Sequence, residues 1–152
     1  MGILDKIFGS SGNSKEDKAD DYFQKSSSNM NDGELKLAIQ NLNKAIELDP
    51  NNGLYFYNRG TVKKMILDFE GAIPDLTLSI DLKTKDIKFN FIKEAYFNRA
   101  VSKFHLQDLK GAKKDNEKAK GLGFDLRQVN LIEVYIEEVK DVGYDVFMKE
   151  WE

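Results

Sequence analysis

Between Leu35 and Leu48 the apolar side chains fall at Leu35, Ala38, Ile39, Leu42, Ile46 and Leu48. Spacings of three and four put them on one stripe of a helix. The run Asp49-Pro50-Asn51-Asn52-Gly53 follows, and these turn-forming residues end that helix. A second stripe appears at Ala72, Leu76 and Ile80, behind Asp68, whose carboxylate suits an N-cap. Further on, Val129, Leu131, Ile132, Val134, Tyr135, Ile136 and Val139 predict a terminal helix. Gly143 is expected to break it, with Tyr144 to Trp151 forming one more short, aromatic-rich helix. Residues 9–18, composed of Gly, Ser, Asn and charges, read as a linker.

The chain also matches itself. Tyr57-Asn58-Arg59-Gly60 returns forty residues later as Phe97-Asn98-Arg99-Ala100, and in that register Lys63, Asp68, Gly71-Ala72 and Asp75 meet Lys103, Asp108, Gly111-Ala112 and Asp115. Seven of the 23 positions from Tyr57 to Ser79 are identical, several times what chance gives. Upstream, Gly33, Ala38, Leu42, Ala45 and Pro50 stand 34 residues before Leu67, Ala72, Leu76, Ser79 and Thr84. The basic period is therefore 34, with about six extra residues near Ile87 to Ile92. Such a period marks stacked supersecondary units, and each copy here reads as two helices. Arg59 with Asp75, and Arg99 with Asp115, are each sixteen apart, which predicts an ion pair across each hairpin.

With small residues at its eighth, twentieth and twenty-seventh positions, this unit resembles the tetratricopeptide repeat family. Gly60, Ala72 and Ser79 fill those positions in the second copy, and Ala100, Ala112 and Ala119 in the third. Ala38, Ala45 and Pro50 match in the first, whose opening helix departs with Ser26 and the polar run Ser26-Ser27-Ser28-Asn29. The resemblance implies an all-α, alpha-alpha superhelix of three helical hairpins with a C-terminal capping helix. Residues 1–18 are then a short amphipathic start and flexible linker. Residues 19–126 hold three repeats, about 19–52, 53–86 and 93–126 with the insertion near 87–92, and 127–152 form the capping helix and tail. Two helices approach closest where side chains are small. Pro74 resists this scheme because it falls inside an expected helix. The Ile87, Phe89, Phe91 and Ile92 cluster reads equally as a short extended loop or an early helical turn.

Composition narrows the function. The 152 residues are 41% hydrophobic and 32% charged, a balance typical of globular domains. A net charge of -3 draws the chain to no nucleic acid. Lys113, Lys114, Lys118 and Lys120 alternate with Asp115 and Glu117, as on a solvated helix face. No apolar run approaches the roughly 20 residues of a membrane span, and the start around Ile3, Leu4, Ile7 and Phe8 lacks the basic region of a secretion signal. A cytoplasmic protein with no membrane partner is the expectation. Absence of cysteine removes thiolate chemistry and disulfides. His105, the single histidine, stands in no catalytic or metal motif, and Gly121-Leu122-Gly123 is too short for a phosphate loop. Neither catalytic residues, metal ligands nor cofactors are expected, and the chain is not read as an enzyme.

The family's first helices line a concave groove. Its groove positions would bring Phe23, Met30, Leu54, Tyr57, Met65, Phe97, Val101 and Phe104 onto one inner surface, with Asn58, Thr61, Lys64, Asn98 and His105 among them. Aromatic and methionine side chains suit apolar recognition. Some family members grip acidic chaperone tails with a carboxylate clamp of Lys, Asn, Asn, Lys and Arg. Here Asn58 alone matches, with Phe23, Ser27, Glu94 and Asn98 at the other four places, so that specificity is not expected. The expected partner is another protein or peptide, bound as an amphipathic helix or apolar segment in a non-enzymatic interaction module. The alternative is a structural or oligomerisation unit whose groove is filled by its own or a neighbouring chain's terminal segment.

Overall fold

A computed structural model describes residues 14–82 and 91–149, and among these every regular element is a helix. The helices are α1 (Lys15–Asn31), α2 (Leu35–Leu48), α3 (Gly53–Met65), α4 (Phe69–Leu82), α5 (Ile92–His105), α6 (Leu109–Gly121), α7 (Leu126–Val142) and α8 (Tyr144–Lys149). Consecutive helices pack as antiparallel neighbours, while α3 also touches α5 and α5 touches α7. The first helices of the hairpins thus form one layer and the second helices another. This is an α-α superhelix, in which each repeat buries its apolar face against the next.

Local chemistry sets the ends of these helices. Ser14 and Asp17 form a reciprocal capping box at the start of α1, so that helix begins inside the stretch 9–18. The polar run in α1 is helical, and its Ser26 and Ser27 hydroxyls are satisfied by donating to the Phe23 carbonyl at 2.6 and 3.2 Å. Asp68 accepts from the Gly71 N–H at 2.9 Å at the head of α4, and Asp108 does the same for Gly111 at 2.9 Å before α6. The three hairpin turns share one geometry. Glu34, Asp68 and Asp108 each donate a backbone N–H five residues back, to Asn29, Lys63 and Lys103, at 2.8, 2.9 and 2.9 Å. The residue before each lies at positive φ: Gly33 at 77°, Leu67 at 63° and Gln107 at 62°. Glycine takes that conformation freely, whereas Leu67 and Gln107 take it at a cost.

Small residues lie where the helices meet. Ala38, Ala45, Ala72, Ser79, Ala100, Ala112 and Ala119 are fully buried, as is Ser26 at the departing position of the first repeat. A Cβ on Gly60 would stand 2.8 Å from Leu76 Cγ, closer than such atoms pack. The expected ion pairs are present and duplicated. Arg59 grips Asp75 through Nε and Nη2 at 2.8 and 2.6 Å, and Arg99 grips Asp115 at 2.7 and 2.8 Å. Each carboxylate also pairs with a lysine one turn on, Lys63 at 2.8 Å and Lys103 at 2.7 Å. The remaining guanidinium nitrogens reach the preceding hairpin, Arg59 to Asn43 and Arg99 to Thr77, so the same arginines tie repeat to repeat. Helix α4 runs through Pro74, which is exposed in its second turn.

At the insertion, Phe91 is buried and Ile92 opens α5, while Ile87 and Phe89 lie outside the described residues, as do Ile3, Leu4, Ile7, Phe8 and Trp151. Gly143, at φ 85°, ends α7. Phe104, Ile132, Ile136, Val139 and Phe147 then close a core shared by α5, α7 and α8. No helix among the described residues is long and apolar enough to cross a membrane.

Candidate functional site

Phe23, Tyr57 and Phe97 stand at one repeat position on α1, α3 and α5, each partly buried. These rings do not stack on each other. Each meets a ring at or just before the head of α3, α5 or α7: Phe23 lies 5.2 Å from Tyr55, Tyr57 stacks on Phe91 at 5.0 Å, and Phe97 stacks on Phe124 at 4.4 Å. Tyr55 is further held by its hydroxyl, which donates to Asp20 at 2.7 Å. The partner rings Tyr55, Phe91 and Phe124 sit in or beside the inter-repeat segments, where no periodicity singles them out.

The other expected groove residues divide by environment. Met30 packs into the α1–α2–α3 core, and Leu54 packs beside Tyr57 against the α4–α5 core. Met65 is half exposed, at 50%. Asn58 donates its amide to the Leu54 carbonyl of its own helix at 2.8 Å. Between α3 and α5, Lys64 donates to Asn98 Oδ1 at 2.7 Å, and Asn98 Nδ2 donates to Thr61 Oγ1 at 3.2 Å. Burial raises the Tyr57 phenol above its ordinary pKa, opposed by a hydrogen bond from Thr61 and reinforced by the charge of Glu94.

Toward the end of α5, Phe97 and Val101 line an apolar cavity of about 370 Å³ with Phe104 and His105. Its opposite wall is α7, through Gln128, Leu131, Ile132 and Tyr135, and α8 closes one side with Phe147 and Met148. Leu131 stands at the rim, 48% exposed, whereas Phe104 at 3% is covered by α7 and α8. His105 stacks on Phe69 at 4.3 Å, and its Nδ1 lies 3.3 Å from the Tyr144 hydroxyl, which also reaches the His105 carbonyl at 3.2 Å. Burial, then the neighbouring Lys64 charge, lowers the imidazole pKa, favouring the neutral ring at pH 7. Among the described residues no cluster of His, Cys, Asp or Glu could hold a metal ion. The wall from α7 was not among the expected groove residues; its signal is the spacing of Gln128, Leu131 and Tyr135 on one helical face.

Known proteins share this architecture. A family profile described as TPR repeat matches residues 30–65. The first TPR of Spaghetti (RPAP3), bound to the HSP90 peptide SRMEEVD, matches with a TM-score of 0.72 at 25% identity, covering 83% of this chain and 95% of that one. The chain has the tetratricopeptide-repeat fold. The first TPR domain of human RPAP3 gives a TM-score of 0.69, also at 25% identity, over 84% of this chain and 98% of that chain. Tetratricopeptide repeat protein 16 from Homo sapiens is 37% identical over 54 residues, 36% of this chain. That match spans 6% of the human protein's length. The repeat assigns α1, α3 and α5 as first helices and α2, α4 and α6 as second helices, with α7 continuing the inner layer.

Proposed function

We propose that the chain is a non-enzymatic protein-interaction module, whose inner surface receives a peptide or helix of another protein. The observation that carries this is the apolar cavity between α5 and α7, which stays open with α8 already in place. A cavity of about 370 Å³ has room for more than one large apolar side chain, since about 150 Å³ already holds a benzene ring. Full burial of such a side chain is worth roughly 1.5–3 kcal/mol, and four across the inner surface give about 6–12 kcal/mol gross. Association and ordering cost about 4–15 kcal/mol, so about 8 kcal/mol net, or micromolar affinity, is the most a short ligand reaches. The Spaghetti neighbour supports a peptide ligand, because its TPR is bound to one. The chaperone-tail chemistry of that neighbour does not carry over, since Phe23, Ser27, Glu94 and Asn98 occupy four of the five clamp places.

Capture of partners from the native cell tests the assignment, using the full chain, Leu131→Glu at the cavity rim, and Leu78→Glu, an equally exposed leucine on α4 (42%). A partner held by the wild type and Leu78→Glu but lost by Leu131→Glu supports the cavity. Undiminished capture by Leu131→Glu, with helicity intact by circular dichroism, refutes it.

A further inference from the structure

We propose that the partner segment presents a single carboxylate to Lys64 beside the apolar side chain that enters the α5–α7 cavity. This rests on the interaction-module assignment above and specifies its ligand.

The cations of α3 and α5 set the case. Arg59 and Lys63 share Asp75, Arg99 and Lys103 share Asp115, and Lys93 lies 4.0 Å from Glu94. Lys64 differs. It is partly buried, its polar contact is the neutral Oδ1 of Asn98, and among the described residues no carboxylate pairs with it. Asn98 cannot turn to offer anything better, because it is buried at 7% and its other amide atom is committed to Thr61. A partly desolvated ammonium with only a neutral acceptor is costly unless an anion joins it. Burial accordingly holds the Lys64 pKa below its ordinary value. The cation stands beside the α5 wall of the cavity, since its acceptor Asn98 is next in sequence to the lining residue Phe97, and its charge reaches His105, another lining residue.

Glu94 limits the ligand to one carboxylate at this place. It stands in the first turn of α5, its Oε2 is buried without a hydrogen-bond partner, and its charge acts on Tyr57. Glu94 thus adds negative charge at the Tyr57 end, only loosely offset by Lys93 at 4.0 Å, and a run of acidic residues would be disfavoured there. An apolar side chain with one neighbouring carboxylate satisfies both ends. This differs from the family's clamp in position and in sign, for Glu94 occupies the place of a clamp lysine.

Phenylbutyrate and its neutral amide, phenylbutyramide, are probes whose ring and flexible chain need no fixed register. Titrated into the nitrogen-15-labelled full chain, both should shift backbone amide resonances of α5 and α7, the acid binding about fivefold tighter, as for one modest ion pair. Lys64→Gln should bring the two dissociation constants within about twofold by removing that pair, with binding of the amide unchanged. Leu131→Glu should abolish both. Equal affinities in the wild type, or a preference kept by Lys64→Gln, overturn the carboxylate assignment while leaving the cavity as a binding site. Silence of the α5 and α7 resonances with either probe overturns both assignments. Decanoate displacing phenylbutyrate at a tenfold lower concentration would give the site to fatty acids and overturn a polypeptide ligand.

Discussion

Replacing Gly60 by alanine sets two effects of known sign against each other. In a helix interior alanine is favoured over glycine by about 1 kcal/mol, because glycine loses more backbone freedom on folding. The new Cβ would lie 2.8 Å from Leu76 Cγ, 3.2 Å from the Ala72 carbonyl oxygen and 3.2 Å from Asp75 Cβ. None of these can yield easily: Leu76 is fully buried, Ala72 contributes backbone, and Asp75 is fixed by Arg59 and Lys63. Overpacking of this kind costs about 1–3 kcal/mol, so the steric effect wins and a net loss of about 1 kcal/mol is expected. Gly121 is the control, a helical glycine whose Cβ would meet nothing within 4 Å. There the same change should gain about 0.5 kcal/mol from backbone entropy alone. At about 2–4 °C per kcal/mol for a chain of this size, thermal denaturation by circular dichroism should lower the Gly60→Ala midpoint and raise that of Gly121→Ala. Two shifts of the same sign would refute the claim that hairpins nest at the small residues. Gly60→Leu should lose more than Gly60→Ala in the same assay.

Asp115→Ala strips the anion from Arg99 and Lys103, whose side chains are 14% and 20% exposed; removing one partner of a largely buried pair costs about 3 kcal/mol, and urea denaturation should show that loss partly restored by adding Arg99→Met. Burial alone would raise the Asp115 pKa, but hydrogen bonds from Arg99 and Lys103 and their charges outweigh it and set the carboxyl below its usual 3.8. Its contribution is thus complete above that value and lost as pH falls through the depressed one, while the lowered pKa of His105 makes stability begin to fall below its usual 6.5; a denaturation midpoint constant from pH 7 to 3 would contradict both. At Leu67, φ is 63° and the side chain 71% exposed, so Leu67→Gly should gain about 0.5–1 kcal/mol by releasing left-handed strain. Gly33→Leu, at the equivalent turn, should lose a similar amount, measured in the same melting series.

The hairpins were legible because their cause is local and recurs. A glycine, alanine or serine at each close contact, with an arginine and aspartate sixteen apart, leaves a spaced trace that survives when the residues between them diverge. Other features depend on packing that only the folded chain reveals. Phe91 and Phe124 cover Tyr57 and Phe97 from inter-repeat segments, one of them beside an insertion that breaks the period. The start of α1 was hidden because Ser14 and Asp17 resemble their linker surroundings until they cap one another. Leu131 and Tyr135 read as an amphipathic cap, and their part in the cavity follows from α7 continuing the inner layer beside α5. Pro74 was a real irregularity, yet its exposed place in α4 left the helix unbroken by it.

Lys63 and Lys64 show how the scaffold separates stability from recognition. They are adjacent and identical in chemistry, but 100° of helical rotation sends one toward α4 and the other toward α5. Lys63 closes on Asp75 at 2.8 Å and on the Gly71 carbonyl at 3.2 Å, and its counterpart Lys103 pairs likewise with Asp115. That direction is fixed by the hairpin, so the residue recurs in the third repeat, while Asn29 holds its place in the first. Lys64 has no such counterpart, for Met30 and Phe104 hold its place in the neighbouring repeats. Where hairpin geometry dictates a side chain the second and third copies agree; at the position of Lys64 the neighbouring copies put packed apolar side chains, Met30 and Phe104, and the second copy puts a charge. An ammonium held only by Asn98, with its charge reaching a histidine of the cavity, therefore points outward, to the chemistry of what the inner surface holds.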